Sequence, residues 1–304
     1  MYPTVEISQI LSIFKVALLY YMRERTLGKE IAMDIEELDL VTRLLLEKKG
    51  NIHGSIYHIS QVEMAYNSNK IEGSRLSEKQ TALIFENDII SPAENGEATK
   101  LDDIKEAENH FRGFDYILDH YDTPISIEQI KTIQGILKKG TSDEQNPLKP
   151  VGEFKVIDNV VGIGYTEVET AAPYEVSSKL TELIKEYHEN TPKTLEKIID
   201  FHVKFERIHP FADGNGRTGR LIMFKECLNY NIIPFVLKDV HRDFYYRGLN
   251  LWDHEKGYLL DTIGMEQDMY KEFLKKFKFR GNINDSKVPK DKLEESLDKE
   301  RGED

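Results

Sequence analysis

Apolar residues return every three or four positions along most of this chain, and that period commits it to helices packed through one-sided faces. Leu38, Val41, Leu44 and Leu45, then Ile56, Ile59, Val62 and Tyr66, mark two N-terminal helices. The same period predicts helices near residues 101–120, 126–139, 174–190, 194–208, 216–230, 240–253 and 255–279. One stretch breaks the rhythm. Gly152 to Thr170 is rich in Val, Ile and Thr with turn residues inside it, which reads as a β-hairpin, and Pro173 then opens the next helix. The expected fold is therefore mainly α with a small β-hairpin, and no repeat of 20–50 residues interrupts it.

The 304 residues are enough for one large domain or two modest ones with a substantial core. Charge narrows the partners: 54 acidic against 41 basic side chains give −13, which repels a phosphate backbone and argues against nonspecific nucleic-acid binding. A local cluster of cations can still hold a nucleotide, because a site works at a few ångströms. Cys227 is the only cysteine, so an intrachain disulfide and a Cys-based zinc site are excluded and a reducing, cytoplasmic setting is expected. Ile7 to Met22 is the most apolar N-terminal stretch, but Ser8, Gln9, Ser12 and Lys15 interrupt it; it reads as an amphipathic helix, and no membrane span is expected. After about residue 280 the chain is polar and of mixed charge, composition expected of a mobile tail.

The chemistry concentrates in His-Pro-Phe-Ala-Asp-Gly-Asn-Gly-Arg-Thr-Gly-Arg, residues 209–220. Leu195, Ile198, Ile199, His202 and Phe205 share a helix face that delivers His209 into a loop. Gly214-Asn215-Gly216 then opens a second helix, where small residues let backbone N–H groups and the helix dipole meet an anion. Arg217 and Arg220, three apart, are expected to project together and neutralise a polyphosphate. Asp213 is a hard oxygen ligand suited to Mg²⁺, and His209 is the natural proton acceptor for an attacking hydroxyl. In-line attack on a phosphate needs mostly positioning and charge stabilisation, which this string supplies.

These residues resemble the Fic-domain signature, His-x-Phe-x-Asp/Glu-Gly-Asn-Gly-Arg-x-x-Arg, at every specified position. At roughly 5% usage per residue type such a match has a chance on the order of 10⁻¹⁰ per start site. The resemblance extends upstream through Phe205-Glu206-Arg207-Ile208 and downstream to Arg242-Asp243-Phe244-Tyr245-Tyr246. It implies transfer of AMP from Mg·ATP to a Ser, Thr or Tyr hydroxyl of a protein target, this chain itself included. His209 would be the base, Asp213 the Mg²⁺ ligand, and Asn215 a contact to the α-phosphate. Phe211 would pack beneath the loop. Gly214 and Gly216 would form the anion hole, and Arg217 and Arg220 would reach the outer phosphates. The hairpin looks like the family's flap, with Val160, Val161 and Gly162 registering the target's backbone. Tyr245 and Tyr246 would shape the nucleoside pocket. Upstream, Ser68-Asn-Lys-Ile-Glu72-Gly73 resembles the inhibitory motif Ser/Thr-x-x-x-Glu-Gly/Asn, in which the glutamate pairs with the second arginine, here Arg220. The implied organisation is a restraining helical region at 1–100, a catalytic core at 101–280 and the tail at 281–304, with homo-oligomerisation left open.

Blander readings stand beside these. Residues 209–220 could be a Gly-rich turn with solvated arginines, and Glu72 a surface residue ahead of a Gly cap. Within the resemblance, Glu72 could instead align water for AMP removal, or the chain could be a silent nucleotide-binding module. His202 lies on an apolar helix face and is expected to be a hydrogen-bonded core histidine. His53 and His58 are discounted as a metal pair, because five-residue spacing on a helix turns them apart. His241-Arg242-Asp243 mimics a kinase catalytic loop without the rest of that motif set.

Overall fold

The computed structural model describes residues 35–92, 98–163 and 166–281; the helix expected at Ile7 to Met22 and nearly all of the polar tail lie outside them. Among the described residues the main helices are α1 Leu40–Lys49, α2 Ile56–Ile71, α3 Glu78–Asn87, α4 Leu101–Asp119, α5 Ile127–Lys138, α6 Pro173–Glu189, α7 Leu195–Ile208, α8 Asn215–Asn229, α9 Arg242–Leu251 and α10 Gly257–Lys276. Side-chain oxygens of Asp39, Ser55, Ser126 and Thr194 accept from the third residue beyond them and so start α1, α2, α5 and α7. Strands β1 Val160–Ile163 and β2 Thr166–Glu169 pair antiparallel, Val160 opposite Glu169 and Ile163 opposite Thr166.

Periodicity does not announce α3, whose apolar residues run together as Ala82, Leu83, Ile84 and Phe85. Its start is nevertheless written in the sequence: Ser77 accepts from Gln80 N and Gln80 Oε1 accepts from Ser77 N, a complete capping box.

Helix α8 is the axis of the fold. Every residue from Asn215 to Asn229 is buried, with α2, α4, α5 and α7 packed around it. Phe114 of α4 meets Phe224 at 5.1 Å between ring centroids, and Tyr270 of α10 meets it edge-on at 6.1 Å. Two charged residues at the far end of α8 survive burial because they answer each other. Lys225 Nζ reaches Glu226 Oε1 at 2.7 Å and the Thr123 carbonyl at 2.5 Å, while Tyr187 Oη donates to Glu226 Oε2 at 2.8 Å.

Helices α1 and α2 share this core: Leu40, Leu44, Ile56, Tyr57, Met64 and Ile71 pack in one cluster with Phe114, Leu221 and Phe224. Polar side chains tie α2 down as well. Ser60 Oγ and Tyr270 Oη are 2.7 Å apart, Gln61 donates to the Phe111 carbonyl, and Lys238 pairs with Glu63 at 2.6 Å. His53 and His58 meet, with ring centroids 5.2 Å apart, contrary to the expectation from helical spacing. His53 precedes α2 in a turn, so helical spacing does not govern it. His58 is engaged by Gly54 N and Glu86, and no group of three His, Cys, Asp or Glu side chains among the described residues is placed to hold a metal. No helix among the described residues is long and apolar enough to cross a membrane.

Candidate active site

Helix α7 ends on His209, which closes it with φ 51° and ψ 62° while its N–H still donates to the Phe205 carbonyl. A non-glycine residue in the left-handed region carries a steric penalty, and such residues gather at functional sites. The Nδ1 of His209 lies 3.3 Å from the Glu206 carbonyl oxygen, which accepts only if Nδ1 carries the proton. The Nε2 lone pair is then free. Burial, aided by the nearby Lys155 charge, pushes the imidazole pKa down to about 4 against opposing pulls from the Glu206 carbonyl, Glu72 and Asp213. At neutral pH His209 is a neutral acceptor.

The loop that follows is pinned from both sides. Asn215 Oδ1 accepts from Phe211 N and Asn215 Nδ2 donates to Phe211 O, both at 2.9 Å. The carboxamide is thus held against the backbone with one Nδ2 hydrogen to spare, and the side chain is buried. Asn215 thereby shapes the loop that leads into α8. Phe211 is fully buried beneath that loop, 5.9 Å from the Phe154 ring. The chain leading to β1 is stitched to the same loop, Lys155 N donating to Pro210 O at 2.9 Å and Asn159 Nδ2 to Phe211 O at 3.1 Å, and after β2 Ala171 N donates to Ile208 O at the end of α7 at 3.3 Å. Lys155 Nζ joins the two ends of the hairpin through Asn159 Oδ1 at 2.6 Å and Thr170 Oγ1 at 2.7 Å.

Gly214 caps α8 at φ 83°, a conformation open to glycine, and no side chain caps the helix there. Its first N–H groups therefore face outward with the positive end of the dipole. The anion beside them is the carboxylate of Glu72. A Cβ on Gly216 would collide with Glu72 Oε1 and lie 2.8 Å from Arg220 NH1, so a side chain there would push the carboxylate and the guanidinium from their present places.

Glu72 reaches this place through the end of α2. Gly73 N donates to the Lys70 carbonyl and Ser74 N to the Asn69 carbonyl, a Schellman closure that needs the positive φ of 93° at Gly73. Glu72 Oε1 accepts from Arg220 NH2 at 2.7 Å, with the arginine side chain 3% exposed and the glutamate 29%. Ser68 supports the same guanidinium: its Oγ accepts from Arg220 Nε at 2.9 Å and its carbonyl from NH2 at 3.0 Å.

The two arginines have different protein partners. Arg217 NH1 pairs with Glu106 at 2.6 Å and NH2 with Asp213 Oδ1 at 3.1 Å, its side chain 3% exposed. It is a strut between α4 and the loop, while Arg220 alone carries the pairing with Glu72. Tyr245 is fully buried with its hydroxyl 2.6 Å from His202 Nε2, so it belongs to the core, while Tyr246 is partly exposed. His202 is the hydrogen-bonded core histidine that its face implies.

Two features were invisible in the sequence. Glu206 Oε1 and His202 Nδ1 are buried without hydrogen-bond partners on either side of Gly219, where a Cβ would lie 3.1 Å and 2.5 Å from them. Burial and the Glu72 charge push the Glu206 pKa up to about 8, Arg220 opposing, so this acid is mostly protonated at neutral pH. The second feature is Lys138, whose ammonium lies 2.6 Å from Asp213 Oδ2. Burial alone would raise the Asp213 pKa, but the Arg217 and Lys138 cations outweigh it and hold the carboxyl well below the usual range.

Residues 124–227 match the model of the Fic/DOC family. The protein adenylyltransferase Fic of Nematostella vectensis is 27% identical over 248 residues, 76% of this chain and 54% of that protein. The protein adenylyltransferase fic-1 of Caenorhabditis elegans is 27% identical over 194 residues, 61% of this chain and 35% of that protein. The chain thus spans about half or less of these curated relatives. A Fic domain containing signaling protein from Bacteroides thetaiotaomicron superposes with a TM-score of 0.62 at 21% identity, covering 81% of this chain and 99% of that one. A Fic family protein from Desulfovibrio desulfuricans gives 0.60 at 18% identity, over 91% and 77%. At these identities the solved structures speak to the fold.

Proposed function

We propose, from the premise that this chain is a Fic-domain protein, that it is a protein adenylyltransferase held in a restrained state by Glu72. The observation that carries the reading is the convergence of a neutral His209, the open N-terminus of α8 and Arg220, which is paired with the Glu72 carboxylate beside Gly216. The names of the curated relatives supply the reaction class.

The arrangement of donors and acceptors supports the following course for that reaction. A Ser, Thr or Tyr hydroxyl of the target gives its proton to His209 Nε2 as its oxygen bonds to the α-phosphorus of ATP. The bond from that phosphorus to the bridging oxygen breaks, and pyrophosphate leaves with the electron pair. The α8 N–H groups stabilise charge on the transferring phosphoryl, and Arg220, once released, holds the outer phosphates. Lys155, Asn159 and Thr170 hold the hairpin against the motif loop, as a flap that registers a target strand requires.

Asp213 fits Mg²⁺ through one lone pair. Its Oδ1 accepts from Gly214 N at 2.6 Å and Arg217 NH2 at 3.1 Å, and its Oδ2 from Lys138 at 2.6 Å. A carboxylate offers about four lone-pair sites, so one remains, on Oδ2. A single carboxylate plus substrate phosphates is a common Mg²⁺ environment, and the ion when bound neutralises phosphate charge. Asp213→Asn is expected to make nucleotide binding insensitive to Mg²⁺; a metal titration of ATP affinity identical to the parent's would remove Asp213 from the site.

The His209 base must be unprotonated, so activity falls as pH drops through its pKa. Because that pKa lies near 4, kcat/KM for ATP should stay level between pH 5 and 7 and lose its acid limb only below about pH 5. A limb centred near 6.5 would contradict the buried, neutral assignment. The function itself is tested with ATP radiolabelled on either the α- or the γ-phosphate: α-label should become protein-bound and γ-label should not.

A further inference from the structure

Two side chains one turn apart on α5 converge on Asp213. Gln134 Nε2 donates to its main-chain carbonyl at 3.1 Å, and Lys138 Nζ to its carboxylate. Gln134 Oε1 in turn accepts from Gly152 N at 2.5 Å. The stem of Lys138 lies along Gly214, where a Cβ would stand 3.5 Å from its Cγ.

The lysine belongs to a closed ring of charge. Its Nζ lies 2.6 Å from Glu106 Oε1, Glu106 Oε2 lies 2.6 Å from Arg217 NH1, and Arg217 NH2 returns to Asp213. Asp143, after α5, stands 2.8 Å from the ammonium on another side and 3.3 Å from Lys149. Burying an ammonium is costly, and a packed apolar residue would fill the same space. What the ammonium does that an apolar side chain cannot is fix the rotation of the Asp213 carboxylate and occupy one of its lone pairs. It also stations a positive charge on the oxygen whose remaining lone pair would bind metal, where like charge weakens attraction for a second cation.

We propose that Lys138 is the resident counter-cation of Asp213: it orients the carboxylate and keeps divalent metal from binding there until nucleotide phosphates arrive with it. Lys138 is thus a positioning residue, and its role rests on the reading of Asp213 as a metal ligand given above. Metal and nucleotide enter together, and the nucleotide-free protein binds divalent cation at this site only weakly.

Mn²⁺ binding to the full chain, followed by electron paramagnetic resonance of the free ion, tests this without any turnover. The parent should bind Mn²⁺ at Asp213 no more tightly than about 1 mM alone, the weak end for protein oxygen sites, and far more tightly with α,β-methylene-ATP. Lys138→Gln, whose amide still donates to the carboxylates, should bind Mn²⁺ at least about tenfold more tightly without nucleotide, because one positive charge has left a site of three carboxylates. Folding of the variant is checked by its thermal transition. A folded Lys138→Gln with unchanged affinity overturns the proposal. So does tight, Asp213-dependent Mn²⁺ binding by the nucleotide-free parent, a result that decides the matter even if the variant does not fold. If Asp213→Asn keeps the nucleotide-dependent Mn²⁺ site, the ligand assignment itself falls, and the Lys138 role with it.

Discussion

His209→Ala is expected to abolish AMP transfer while leaving ATP affinity nearly unchanged. The proposed phosphate-binding groups are the α8 N-terminus and Arg220, and neither depends on the imidazole. Loss of a positioned base costs typically 10²–10⁴-fold in rate. His209 also closes α7 in a left-handed conformation, which alanine adopts with about 1 kcal/mol of strain. His209→Gly is therefore the better-matched partner: it accepts the positive φ and lacks the base just as fully. Both variants should be equally inactive, and the glycine variant the more stable of the two. Equal losses of ATP affinity and of rate would assign His209 to binding rather than to proton transfer.

Glu72→Gly is expected to raise transfer by roughly ten- to a hundredfold, the range that ångström-scale misplacement of reacting groups can cost. The carboxylate stands against Gly216 and on Arg220, in the position an incoming outer phosphate would claim. Its removal should leave Arg220 in place, because Ser68 holds the guanidinium through both its hydroxyl and its carbonyl. The NH2 hydrogen released from Glu72 is then available without moving the guanidinium. Glu72 caps α2 at φ −85°, so glycine fits the backbone, and the Schellman closure through Gly73 and Ser74 persists. Arg220→Ala is the informative control: it breaks the same pair and removes the phosphate ligand, so it should remain inactive. If Glu72→Gly instead loses the ability to release AMP from a modified target, the carboxylate serves hydrolysis.

Because α2 is built into the core through Ile56, Met64, Ile71 and the Ser60, Gln61 and Glu63 contacts, the proposed restraint would not be lifted by a loosely held helix swinging away. Displacement at the level of the Glu72 side chain is far less costly than extracting buried apolar surface. Activating partners should therefore act near residues 68–73 and Arg220.

How much of this was legible in the sequence depended on whether the information was local. His209, Asp213 and the glycines of the cradle are adjacent in the chain, and a helix ending at Ile208 with another beginning near 215 follows from periodicity alone. The partners of the arginines are not local. Arg217 and Arg220 share a helix and a spacing of three, yet Glu106 of α4 claims one and Glu72 of α2 the other. Spacing gives the direction in which a side chain leaves its helix and says nothing of what waits there. Asn215 shows the same limit, since only the fold of the loop turns its carboxamide onto Phe211. Lys138 was hidden differently: it stands on the buried stripe of α5 after Ile130, Ile133 and Leu137, where a lysine reads as a helix-end charge. Helix α3 was missed because its apolar residues are contiguous, although Ser77 and Gln80 spell its start.

The most direct test of the central claim is the intact mass of the Glu72→Gly chain after incubation with Mg·ATP. The account predicts addition of AMP, less one water, to a hydroxyl-bearing side chain, absent when His209→Ala is combined with it. An unmodified mass for Glu72→Gly with both itself and candidate targets present, under conditions where nucleotide binding is measured directly, would contradict it.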